Sequence, residues 1–172
     1  MDYGRIHWPM LKQEFDKLLS QVLKVVQQYY DERLVTLAVF GSVARGAQRP
    51  DSDVDLLVVC DPLPAGRMRR IAEFRNVEEQ LEPLLASLEK IGITTSLSVI
   101  LKTPAEVQRG GLFYLDFIED ARLFYDKGNF FRGFLDQLRD RLSKLGARRV
   151  WRGNVWYWDL KPDFKPGDVF EI

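Results

Sequence analysis

The sequence predicts an α/β fold of the α+β kind, a mixed central sheet with flanking helices, followed by a C-terminal β-hairpin and an extended tail. Three observations predict it. Strand-like segments recur at residues 34–40, 53–60 and 93–101, the first two strongly apolar. Long stretches with apolar residues at helical spacing lie around and between them. Near the C-terminus, residues 149–151 and 155–158 flank Arg152-Gly153-Asn154, the pattern of a hairpin.

Each element follows from its own stretch. A first helix is expected over 9–30, with Phe15, Leu18, Leu19, Val22, Leu23, Val25 and Val26 on one side and Lys12, Gln13, Asp16, Lys17 and Gln21 toward water. The strand over 34–40 stops at Gly41, residues 42–46 read as a short helical turn, and 49–52 as a loop. The run over 53–60 is apolar after Asp55, and Pro62-Leu63-Pro64 breaks it. Residues 68–90 read as helical, with Pro83 predicting a kink or two helices meeting there, and Gly92 ends the stretch. Within 93–101, Ser96 and Ser98 share one face and Leu97 and Val99 the other.

Thr103, Pro104 and Glu106 have the spacing of a capping box that opens a short helix reaching 108. Residues 115–121 read as helical, 123–125 as a short strand, and 129–145 as an amphipathic helix stopped by Gly146. The organisation expected is one domain over 1–146, with 147–172 an aromatic hairpin and tail packed on it.

Composition narrows the function classes. The chain has 172 residues, 46% of them hydrophobic, which suits one domain with a real core. Lys plus Arg and Asp plus Glu number 25 each, and this balance argues against gripping extended nucleic acid through a global field. The single cysteine, Cys60, excludes an internal disulfide and reads as a buried structural thiol at the end of an apolar run. The single histidine, His7, precedes any clear element and is given no catalytic role. No membrane-length apolar run and no signal-like core are present, so a cytoplasmic location is expected.

The chemistry-bearing segment is Gly41-Ser42-Val43-Ala44-Arg45-Gly46 followed by Ser52-Asp53-Val54-Asp55. Gly41 stands where a strand must turn sharply, and without a side chain its backbone can approach a phosphate closely. The following amides and the Ser42 hydroxyl can point at phosphate oxygens, with Arg45 or Arg49 adding charge-assisted hydrogen bonds. Asp53 and Asp55, two apart on a strand, project from one face while Val54 turns inward. Two carboxylates so placed repel unless a cation lies between them. Mg²⁺ takes oxygen ligands and bridges to substrate phosphates, so the pair reads as a metal clamp for a nucleoside triphosphate.

Gly41-Ser42, ten residues, then Asp53-Val54-Asp55 resembles the signature of the DNA polymerase beta-like nucleotidyltransferases. Within that superfamily the segment is most similar to the minimal nucleotidyltransferases of prokaryotes. The resemblance is firm over 35–59 and looser out to Asp126. It implies a polymerase beta palm-like fold and transfer of a nucleoside monophosphate, AMP from ATP, to a hydroxyl of a protein or small molecule. It implies one or two Mg²⁺ ions on Asp53 and Asp55, and Gly41, Ser42, Arg45 and Ser52 as the nucleotide-binding residues. It also implies a third carboxylate on a neighbouring strand, and 93–101 contains none. Asp116, Glu119 and Asp120 are the nearest substitutes in sequence, though a solvated helical face is the plainer reading of all three.

Other readings stand beside this one. The resemblance also allows an antitoxin-like module whose partner is an all-helical toxin protein, or a nucleotide-sensing domain, either with little catalysis. The Gly-Ser turn and the two acids can also be an ordinary turn with exposed carboxylates. Ser52 reads by default as a turn cap, and a solvated face for Arg45 and Arg49 stays open. The aromatic C-terminus, with Trp151, Trp156, Tyr157, Trp158, Phe164 and Phe170, reads as packing before it reads as a stacking or partner surface. Arg67-Met68-Arg69-Arg70 reads as a surface helix start before an RNA contact. A homo-oligomer stays open.

Overall fold

β1 (Leu34–Phe40), β2 (Val54–Cys60), β3 (Leu97–Lys102) and β4 (Arg122–Asp126) form one sheet in the spatial order β3-β2-β1-β4. β1 pairs antiparallel with both β2 and β4, while β2 and β3 run parallel, so the sheet is mixed. The computed structural model describes residues 8–153, 155–165 and 169. The readings for His7, Asn154, the turns at 166–168 and Phe170 concern residues outside these.

The central strands are almost wholly apolar because both faces of the sheet are covered. On one face, Leu37, Val39, Leu56 and Val58 meet Phe15, Leu18 and Val22 of α1 (Trp8–Tyr30) and Phe74, Val77 and Leu81 of α3 (Arg67–Glu89). On the other, Ala38, Leu57 and Val59 meet Phe117 of α5 (Phe117–Asp120) and Phe131, Leu135 and Leu138 of α6 (Phe130–Lys144). The alternation of strand side chains thus feeds two separate cores.

Several boundaries differ from those the sequence suggests, each for a local reason. β3 begins at Leu97, four residues later than the strand expected over 93–101. Ile93 is buried in the first core, but the next residues bond to the loop ahead of β2. The Thr94 N–H donates to the Pro50 carbonyl (2.8 Å) and the Thr95 hydroxyl to the Ser52 carbonyl (2.7 Å). α3 runs as one helix through Pro83, so the reading of two helices is corrected. Pro83 is exposed, where water can serve the carbonyl that the missing N–H leaves free. α2 (Gly41–Ala44) opens at Gly41 itself, and α6 starts after Asn129, whose φ of 56° is left-handed.

The capping box forms on α4 (Pro104–Gln108). The Thr103 hydroxyl accepts from the Glu106 N–H (3.2 Å), and the Glu106 carboxylate accepts from the Thr103 N–H (2.9 Å). Arg70 adds a 2.7 Å ion pair that ties α4 to α3 and holds the Glu106 carboxyl down to about 2. β5 (Arg148–Arg152) and β6 (Val155–Asp159) form a separate antiparallel pair. Packing explains only part of its aromatic content: Trp158 and Leu160 lie against the second core, whereas Trp151, Tyr157 and Phe164 are exposed. Among the described residues no helix is long and apolar enough to cross a membrane.

Asp126 joins three elements at the end of β4. Its Oδ1 accepts from the buried Thr36 hydroxyl (2.8 Å) and the Phe131 N–H (2.9 Å), and its Oδ2 from the Arg132 N–H (2.9 Å). Asp126→Ala would orphan a buried hydroxyl and two amides at the start of α6. It is expected to lower unfolding free energy by about 2 kcal/mol, read as an earlier midpoint in urea.

Candidate active site

β1 ends at Phe40, and the chain reverses into α2 through Gly41, whose φ is +71°. This is the left-handed region that disfavours any residue with a Cβ. The space is closed as well. A Cβ on Gly41 would fall on the Asp55 carboxylate, its Oδ2 the nearest atom and its Cγ only 3.1 Å away. The glycine is therefore required twice, by the turn and by the acid seated against it.

Strand register explains why Asp55 is there. Phe40 and Asp55 are directly paired across β1 and β2 and so share a face. Phe40 packs on Phe117 with ring centres 4.7 Å apart, which marks the face as the one carrying α5 and α6. Asp53 and Asp55 alternate with the fully buried Val54, so both carboxylates take that same face. β3 and Ser96 just ahead of it complete the floor. Ser98 pairs in register with Asp55 and its side chain bonds that carboxyl, while Asp53 Oδ1 accepts from the Ser96 hydroxyl (2.7 Å) and N–H (3.2 Å).

The electrostatics are those of a crowded acid pair. Burial pushes the Asp55 carboxyl above its ordinary 3.8, the Asp53 charge pushes the same way, and the Ser98 hydrogen bond and Arg45 oppose both. Two hard oxygen donors meeting beside a glycine bend suit a divalent cation such as Mg²⁺.

Not every residue singled out by sequence joins this pair. Ser42 is half-buried in α2, next to Gly41. Arg45 follows α2 and pairs with Asp120 at 3.5 Å. Arg49 lies on an exposed loop and pairs with Asp51 at 3.2 Å. The Ser52 hydroxyl accepts from the Arg49 N–H (2.9 Å), a turn-capping bond. Asp116 and Glu119 are exposed, and Asp120 is engaged by Arg45 and by Arg149 of β5. Among the described residues no group of three or more His, Cys, Asp or Glu side chains could hold a metal, so these acids do not complete the pair.

The Ser96 bond to Asp53 was visible in sequence only as an alternation of two serines. Arg149 carried no local signal, since its tie to Asp120 spans 29 residues.

The model of a nucleotidyltransferase domain matches residues 19–122, more than half of the chain. The chain belongs to that family. As a nucleotidyltransferase it is a transferase, and the matched region contains the whole Gly41 turn and both aspartates. Similar proteins include a Methanocaldococcus jannaschii protein provisionally named a protein adenylyltransferase, 26% identical over 132 residues, 76% of this chain and 84% of the relative. Another is the protein adenylyltransferase MntA of Thermococcus cleftensis, 34% identical over 92 residues, 53% of this chain and 86% of the relative. Solved structures similar to this nucleotidyltransferase include a toxin-antitoxin complex with AMP-PNP, at TM-score 0.41 and 13% identity, covering 78% of this chain and 92% of that one. A mutant toxin-antitoxin complex matches at TM-score 0.43 and 12% identity, covering 76% of this chain and 91% of that one.

Gly41→Ala is expected to destabilise the fold by at least about 1–2 kcal/mol from the left-handed backbone alone, measured by urea unfolding. Asp55→Asn is expected to act in the opposite direction in metal-free buffer. A carboxyl whose folded-state value is raised subtracts stability at neutral pH, and that deficit fades as pH falls through the raised value toward 3.8. The Asn variant should therefore melt higher than the parent at pH 7, with the gap closing in acid; a lower Tm at pH 7 contradicts the burial argument.

Proposed function

We propose that this nucleotidyltransferase transfers AMP from ATP to a hydroxyl of a protein or small molecule with Mg²⁺ as cofactor. The observation that carries the reading is the seating of the Asp55 carboxylate against Gly41, with Asp53 on the same strand face. The names of the two adenylyltransferase relatives support AMP as the group and a protein as the acceptor.

In this reading Asp53 and Asp55 hold Mg²⁺, which supplies charge neutralisation at the phosphates when bound. Gly41 and Ser42 receive the triphosphate at the turn, Arg45 adds a guanidinium to it, and Ser52 keeps the loop ahead of Asp53 in place. The acceptor oxygen forms a new bond to the α-phosphorus, the bond from that phosphorus to the bridging oxygen breaks, and pyrophosphate leaves. The hydroxyl proton passes to solvent. Ser96 and Ser98 orient the two acids through the hydrogen bonds described above.

A second reading is an antitoxin-like module that covers a helical toxin partner with little catalysis. It is favoured by one observation, the lack of a third carboxylate beside the pair among the described residues. Labelled ATP, Mg²⁺ and candidate acceptor proteins separate the two. Transferred label is expected with the parent protein. Metal charge stabilisation is worth several kcal/mol, so Asp53→Asn or Asp55→Asn should cut transfer roughly 100-fold or more. Partner binding that ignores both substitutions, with no label on any acceptor, would replace the enzyme with the cover.

A further inference from the structure

The hairpin of β5 and β6 lies outside the region matched by the nucleotidyltransferase family, yet a chain of charged contacts runs from it to the Gly41 turn. Arg149 Nη2 lies 3.2 Å from Asp120 Oδ2, and Arg45 Nη1 lies 3.5 Å from the same oxygen. Asp120 is 12% exposed and Arg149 19%, so this link is largely shielded, whereas Arg45 at 41% still faces the solvent side.

Both ends of the link are anchored. Trp158 is the cross-strand partner of Arg149 and packs on the second core, which seats that face of the hairpin against the domain. Asp120 ends α5, which Arg139 of α6 fastens through the Ile118 carbonyl (3.1 Å). At the far end, the Arg45 N–H bonds the Gly41 carbonyl (3.3 Å). Asp120 therefore offers a fixed carboxylate to a long side chain that would otherwise sample many rotamers beside the turn. A guanidinium has five N–H donors, so an Arg45 held by one of them keeps the others for an anion.

We propose that the C-terminal hairpin is a working part of the nucleotide site. Arg149 positions Asp120, and Asp120 positions the Arg45 guanidinium for the triphosphate received at Gly41 and Ser42. Asp120 and Arg149 are positioning residues acting through Arg45, and the inference rests on the nucleotide-binding reading of that turn.

Calorimetric titration of the full chain with ATP and Mg²⁺ tests it without needing the acceptor. Asp120→Asn and Arg149→Met should each weaken ATP binding about tenfold, the scale of one charge-assisted hydrogen bond, while Asp120→Glu should restore most of the affinity. In an Arg45→Met background neither substitution should weaken binding further, which a merely structural role would not produce. Arg149→Met keeps the test open if Asp120→Asn does not fold. Parent-like affinity in Arg149→Met, or equal losses with and without Arg45, would overturn the proposal while leaving the nucleotide site standing. A parent protein that binds no ATP would remove the site and the proposal together.

Discussion

The site depends on one close approach, that of the Asp55 carboxylate to the Cα of Gly41. It needs a backbone with positive φ, no side chain at the turn, and a strand register that sets Asp55 opposite Phe40. Each requirement constrains a different element, so the turn, β1 and β2 are specified jointly. Seating a charged group in such a position opposes stability, because burial and the neighbouring acid both resist ionisation. The Ser98 hydrogen bond from β3 and the Arg45 charge offset part of that penalty. Ser98 stands on an edge strand held in parallel register with β2, and Ser96 just precedes it, which explains why β3 belongs to the site although it carries no acid.

The two faces of the sheet divide the labour. α1 and α3 cover one face with a continuous apolar layer, and the acids do not project there. The other face carries α5, α6, the hairpin and both carboxylates. This asymmetry follows from the two-residue period of β2, on which Leu56 and Val58 look one way and Asp55, Leu57 and Val59 the other. The short elements between β3 and β4 reach the sheet at Phe40, where Phe113 and Phe117 pack beside the strand pair that carries Asp55.

Much of this was legible in the chain because the signals are local. The apolar runs of β1 and β2, the glycine between them and the spacing of the two aspartates are short-range patterns, and they locate the acids on one face. The capping box at Thr103 was equally readable. What escaped was set by partners distant in sequence. Ile93 reads as strand because it is apolar, but the hydrogen bonds of Thr94 and Thr95 to the loop before β2 keep their segment out of the ladder. Pro83 reads as a break, yet an exposed position lets the helix continue. Asp120 reads as one of several surface acids, and only the folded hairpin shows that two arginines converge on it.

The lone thiol of Cys60 ends β2, the strand that begins just after Asp53, and it is fully buried in the first core. Burial pushes it up to about 12, so the nucleophilic thiolate is scarce as well as inaccessible in the native state. Alkylation by a membrane-impermeant or small reagent then requires β2 to separate from α1 and α3. The rate of labelling consequently reports how much of the protein has the scaffold beneath that strand open, and the molecule carries its own gauge of those rare excursions.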